Sequence, residues 1–88
     1  MLHSTVIVSL PEGLHARPAA DFARQASLPG NSVMVGRMGG KLVRGDSILS
    51  LMTLGIKHGD LLLLEVRGPN AETLLASLKS LVSGAASN

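Results

Sequence analysis

The sequence predicts an α+β fold in which three helices pack on one side of a mainly antiparallel sheet. Three observations predict it. Segments with strand character and segments with helical stripes alternate in the order strand, helix, strand, strand, helix, strand, helix. The helical stripes are apolar on one side and need a sheet to cover them. The chain has 88 residues, the size of one compact domain with one core, so residues 1–88 are read as a single domain.

Thr5 to Leu10 reads as the first strand, because Val6, Val8 and Leu10 alternate with Thr5, Ile7 and Ser9. Pro11-Glu12-Gly13 breaks it. Residues 16 to 27 read as a helix, with Ala19, Phe22, Ala23 and Ala26 on one stripe and Pro18 in the first turn, where a missing N–H costs little. Pro29-Gly30 closes it. Ser32 to Arg37 and Lys41 to Arg44 read as two strands joined by a turn at Gly39-Gly40. Asp46-Ser47 offers a cap for a short helix from Ile48 to Leu54 that stops at Gly55. Asp60 to Arg67 reads as the fourth strand. The last helix spans about Ala71 to Val82, with Leu74, Leu75, Leu78, Leu81 and Val82 on one face, and residues from Ser83 to Asn88 read as a frayed tail.

Apolar residues make up 45% of the chain and Phe22 is the single aromatic residue, so the core is aliphatic. The absence of cysteine excludes disulfides, thiolate metal sites and Cys nucleophiles. The net charge is +2, with the basic residues scattered, so neither a nucleic-acid arm nor a base-stacking platform is present. No signal peptide is visible, and the longest apolar run, Leu61 to Leu64, is too short to span a bilayer. The expectation is a cytoplasmic protein without direct membrane insertion.

The chemically informative segment is Gly13-Leu14-His15-Ala16-Arg17-Pro18-Ala19-Ala20. It puts a histidine at the mouth of a helix, with an arginine two residues on and a proline in the first turn. A helix N-terminus presents unpaired N–H groups and partial positive charge, which suit an anion. Arg17 adds forked donors that match phosphate oxygens. Gly13 lets the chain bend around the ring. An uncharged imidazole nitrogen is a nucleophile, and a phosphoryl group placed on it meets the same donors.

This segment resembles the active-site loop of the HPr family, the histidine-containing phosphocarriers of the bacterial phosphoenolpyruvate-dependent sugar phosphotransferase system. The run from Asp46 to Ile56, Asp-Ser-Ile-Leu-Ser-Leu-Met-Thr-Leu-Gly-Ile, is similar to the family's second motif. With the spacing and element order, the resemblance covers almost the whole chain. It implies an HPr-like open-faced β-sandwich, βαββαβα, with four antiparallel strands covered on one face by three helices. It implies that enzyme I phosphorylates His15 through Nδ1 (a pros-phosphohistidine) and that IIA domains of sugar transporters take the phosphate. Such a chain is a carrier with a phosphohistidine intermediate rather than a turnover enzyme, and it needs no cofactor and no metal. Ala16, Arg17 and Pro18 match the phosphate-binding positions. Ile48, Leu49 and Met52 match the apolar patch that docks both partners. Ser47 matches the serine phosphorylated in many lineages by a regulatory kinase, HPr kinase/phosphorylase. A monomer is expected.

Two features depart from the family pattern. Asp46 stands where a basic or small residue is common, and its charge opposes an acidic partner or a kinase at Ser47. The chain is also basic where relatives are commonly acidic, which keeps open a regulatory paralogue serving a nitrogen-linked or dihydroxyacetone-kinase branch, or a binding module controlled at Ser47. Simpler roles compete for single residues. Arg17 can pair with Asp21 along the helix for about 0.2–0.5 kcal/mol. Ser47 can be only an N-cap. Ile48, Leu49 and Met52 can be core, although a short helix that also holds Leu51 and Leu54 cannot bury all five. His3 and His58 lack a second ligand at useful spacing. Strand periodicity points Val6, Val8, Val33, Val35, Leu62, Leu64 and Val66 inward. It leaves Ile7, Met34 and Leu63 on the open sheet face, where a cluster would favour weak self-association.

Overall fold

The computed structural model describes residues 1–84. Four strands, β1 (Leu2–Ile7), β2 (Ser32–Arg37), β3 (Val43–Arg44) and β4 (Leu61–Arg67), alternate with three helices, α1 (Ala16–Ala26), α2 (Ile48–Thr53) and α3 (Ala71–Ser83). The sheet order is β1-β4-β2-β3 and every pairing is antiparallel. Helices α1 and α3 pack against each other, α3 lies on β1 and β4, and α2 bridges α1 and β3. The helices lie on one side of an antiparallel sheet, as the element order predicts, and form the open-faced sandwich that the family resemblance implies. Among the described residues no helix is long and apolar enough to cross a membrane.

The core is aliphatic around one ring. Ala19, Phe22, Ala23 and Ala26 of α1 are buried, as are Leu74, Leu78 and Val82 of α3 and Val33, Val35, Leu62, Leu64 and Val66 of the sheet. Leu75 and Leu81 are only half-buried, at the margin of the α3 face. Fully burying a Leu or Phe side chain is worth about 1.5–3 kcal/mol, so these positions hold the layers together.

Several boundaries differ from the sequence reading: α1, α2 and β4 by one residue at one end, and β1, β3 and α3 as follows. β1 begins at Leu2, and the inward position between Leu2 and Val6 is Ser4, whose hydroxyl accepts a bond from Lys79 Nζ at 3.0 Å. A polar residue on the inner face hides the alternation, so the strand starts earlier than its apolar pattern suggests. Its far end stops at Ile7, because Val8 exchanges bonds with the loop before β4 instead: Val8 N–H donates to the Asp60 carbonyl and Gly59 N–H to the Val8 carbonyl. β3 is reduced to two residues. Gly36 has no side chain, and the Lys41 carbonyl crosses over it where a Cβ would sit 2.6 Å away, so the chain before Val43 folds over the sheet rather than beside it. Ser83 is helical and Gly84, at φ 81°, is the left-handed C-cap of α3. The tail expected beyond it falls on residues 85–88, outside the described residues.

On the open face, none of Ile7, Met34 and Leu63 stands directly opposite another, and Leu63 is only the diagonal neighbour of the other two. Ile7 stands opposite Leu61, Leu63 lies between Thr5 and Gly36, and Met34 lies between Glu65 and Arg44. The more exposed apolar row is Ile7, Leu61 and Met38, the last joined by its N–H to the Leu61 carbonyl.

Candidate functional site

His15 is the N-cap of α1, with extended backbone at φ −84° and ψ −172°. Its carbonyl accepts the first intrahelical bond, from Ala19 N–H at 2.9 Å. Its imidazole makes no capping bond and is exposed. Because the side chain leaves the helix mouth unfilled, the amides of Ala16 and Arg17 donate to no protein atom among the described residues. Pro18, the third helical residue, lacks an N–H and presents no donor there; it contributes its fixed φ. An exposed imidazole thus stands at an open helix mouth with two free amides, an arrangement suited to an anionic group on the ring.

The loop that carries His15 is fixed from behind. Gly13 N–H donates to the Leu10 carbonyl at 2.9 Å and Leu14 N–H to the Ile56 carbonyl at 3.1 Å. Leu14 is buried and anchors the loop in the core. Gly13, at φ 70°, lies so close to the next layer that a Cβ would overlap the Ile56 carbonyl oxygen and sit 2.7 Å from Lys57 Cα. Glycine is therefore required here both for its conformation and for the space.

The segment underneath is clamped in turn. Arg37 of β2 donates through Nε to the Leu54 carbonyl at 3.3 Å, through Nη2 to the Gly55 carbonyl, and through Nη1 to Asp60 Oδ2 at 2.7 Å. Asp60 also accepts the Lys57 N–H at 2.7 Å. That backbone bond and the Arg37 charge hold the Asp60 carboxyl below its ordinary range. Neither Arg37 nor Asp60 is singled out by the sequence, since the partners lie in β2, the end of α2 and the turn before β4.

His15 lines a shallow concavity with Glu12, Leu14, Met52, Gly55, Ile56 and Lys57. Met52 comes from α2, whose outer face exposes Ile48, Leu49 and Met52 at 44%, 76% and 46% while Leu51 is fully buried. The short helix thus divides its apolar residues between core and surface, and one of the exposed set reaches the histidine. Arg17 is exposed but does not line this concavity. It does not pair with Asp21 either, which binds Arg24 Nη2 at 2.8 Å. Lys57 and Glu12 are the charged residues that do line it, and the sequence reading missed both. A larger concavity between the end of α1 and the start of α3, lined by Arg24, Leu28 and Thr73 among others, contains no histidine or carboxylate.

Ser47 is the N-cap of α2, its hydroxyl accepting Ser50 N–H at 3.2 Å. The neighbouring Asp46 is bound by Arg44 through two bonds, of 3.0 and 2.8 Å, and the hydrogen bonds from that guanidinium hold its carboxyl below the usual range. Its negative charge is therefore partly offset within the chain. His58 Nδ1 lies 3.3 Å from the Leu10 carbonyl, a contact that ties the same loops together.

The family sequence model described as PTS HPr component phosphorylation site matches residues 2–84. The phosphocarrier protein HPr of Streptomyces coelicolor is 36% identical over 83 residues, covering 94% of this chain and 89% of that one. The phosphoryl donor subunit DhaM of a PEP-dependent dihydroxyacetone kinase from Klebsiella michiganensis is 36% identical over 80 residues, which are 90% of this chain but 16% of that longer protein. Among solved structures, an HPr from Thermoanaerobacter tengcongensis superposes with a TM-score of 0.88 at 31% identity, covering 100% of this chain and 98% of that one.

Proposed function

The chain belongs to the HPr family of phosphocarriers of the phosphotransferase system, and on that premise we propose that it takes a phosphoryl group onto His15 from phosphorylated enzyme I and passes it to IIA domains of sugar transporters. The observation that carries this reading is the exposed His15 ring at the open mouth of α1, with the Ala16 and Arg17 amides unpaired beside it. In the uptake step the Nδ1 lone pair forms a bond to phosphorus while the donor's bond to phosphorus breaks, its electron pair leaving with the donor. In the delivery step the new N–P bond breaks and its pair returns to Nδ1, so the ring is regenerated. The chain contributes position and charge: the two amides and the Arg17 guanidinium donate to the phosphoryl oxygens. Arg17 makes no ion pair among the described residues and can turn toward the phosphoryl group when it arrives.

Docking is assigned to Ile48, Leu49 and Met52. They are exposed apolar side chains on α2, and Met52 shares the His15 concavity, so a partner covering this face also covers the reacting ring. Transfer between such proteins suits a monomer in the cytoplasm. Ser47 is the candidate regulatory position, but its hydroxyl already caps α2 and Asp46 lies beside it, so capping is the better-supported role. The similarity to the DhaM subunit favours one second reading, donation toward a dihydroxyacetone kinase in place of sugar transporters.

The test is incubation with phosphoenolpyruvate and enzyme I, followed by mapping of an acid-labile, base-stable phosphate. One phosphate is expected at His15, absent in His15→Ala and acquired much more slowly in Arg17→Ala. Labelling at His3 or His58 instead would overturn the assignment. Cross-transfer to purified IIA domains and to a dihydroxyacetone kinase distinguishes the two destinations.

A further inference from the structure

We propose that Lys57 is a second cation for the phosphoryl group on His15, presented by the clamped segment between α2 and β4. This rests on the phosphocarrier reading and deepens it. Three observations carry it. Lys57 lines the concavity that holds His15, whereas Arg17 does not. Its backbone is fixed on both sides: its N–H donates to Asp60 Oδ2 at 2.7 Å, its carbonyl accepts Asp60 N–H at 3.0 Å, and Asp60 is itself locked by Arg37. Its ammonium makes no hydrogen bond or ion pair among the described residues; it acts on the Asp60 carboxylate only through space, as the last of several influences there, so it is left to turn toward a phosphoryl group.

The electrostatic need is concrete. The other charged residue lining the concavity is Glu12, whose negative charge would oppose a phosphoryl group on His15. Lys57 offsets that repulsion from the same concavity, while Arg17 approaches from the helix. The ammonium is a point charge on a flexible stem, so it follows the phosphoryl oxygens without demanding one geometry. The absence of a side chain at Gly13 is what lets the His15 loop lie directly on Lys57. The arrangement is thus built by residues 13, 37, 57 and 60 together, from three separate parts of the sequence.

A cation near a phosphoryl group favours its dianion, so Lys57 lowers the second ionisation of the phosphorylated ring. The experiment labels the protein with phosphoramidate, which needs no protein partner, and follows the phosphorus resonance across pH, with the His15 signal identified by its loss in His15→Ala. Replacement of Lys57 by Gln is expected to move the titration upward by about 0.2–0.7 on the pH scale and to weaken its salt dependence. Lys57→Arg restores it. Arg67→Gln, which removes the same charge at the opposite end of β4, leaves it in place. The rate of transfer from enzyme I should fall about two- to fivefold in Lys57→Gln. A Lys57→Gln titration that coincides with wild type, or shifts only as far as Arg67→Gln, overturns the proposal. If enzyme I fails to phosphorylate the wild-type chain while the chemically labelled protein still shows the Lys57 shift, the carrier reading falls alone.

Discussion

Replacing Gly13 with alanine tests the layer contact on which the site is built. Gly13 adopts φ 70°, and Gly39 adopts φ 78°, so alanine at either position meets the left-handed penalty of about 1–2 kcal/mol. The two sites differ in what the new methyl touches. At Gly39 there is nothing within 4 Å, whereas at Gly13 the methyl overlaps the Ile56 carbonyl oxygen and approaches Lys57 Cα to 2.7 Å. Backbone on both sides must separate, and the 3.1 Å bond from Leu14 N–H to that same carbonyl is the first casualty. Stranding the amide of a buried residue adds about 1–3 kcal/mol. Gly13→Ala should therefore lose about 2–5 kcal/mol and Gly39→Ala about 1–2. At about 4–8 °C per kcal/mol for a domain of this size, the two melting temperatures should differ by about 5–20 °C. Urea denaturation of both variants gives the comparison, and phosphoryl uptake at a temperature where both are folded gives the functional counterpart. Equal losses within about 0.5 kcal/mol would refute the reasoning, because the contact would then contribute nothing beyond the conformational penalty.

Leu49→Asp changes a side chain that is 76% exposed, so stability should stay within about 0.5 kcal/mol while transfer from enzyme I slows about tenfold or more; a slow, folded variant in a coupled assay is the expected result. Ser47→Ala removes the cap on α2 and should cost about 1 kcal/mol in denaturation, with faster hydrogen exchange at Ser50 N–H. The Asp60 carboxyl has a lower folded pKa than its ordinary value of 3.8, so its contribution to stability is present above that value and is lost as pH falls below it through the folded pKa. Asp60→Asn should accordingly be less stable at neutral pH and show a shallower acid limb in the dependence of the urea midpoint on pH. Arg37→Met removes three donor contacts from the segment below His15 and should cost about 1–3 kcal/mol, seen as a lower urea midpoint with a slower phosphoryl uptake.

Much of this architecture was legible locally. The Ala19, Phe22, Ala23 and Ala26 stripe and the Leu74, Leu78 and Val82 face announced α1 and α3, because helical period is a property of a few consecutive turns. His15 at the start of α1 and the exposed face of α2 were legible for the same reason, each contained in one short motif. What escaped was long-range. Ser4 faces inward because Lys79, 75 residues later, supplies its partner. One miss was short-range: Arg44 holds Asp46, only two residues on, once β3 ends and the chain turns, so a charge that looks free in sequence is paired in space. Lys57 joins His15 through a loop contact that no periodicity encodes. The open-face row formed from Ile7, Leu61 and Met38, because register, rather than alternation alone, decides which outward side chains are neighbours.

The openness of the His15 ring has a further meaning for timing. Among the described residues nothing roofs the exposed His15 ring, so on the proposed reading a phosphoryl group placed there would stand in water, and its lifetime would be a race between hydrolysis and the next collision. On that reading only a docked partner could dry the reaction, and the chain would behave less like a vessel than like an open hand, whose usefulness depends on how soon another closes over it.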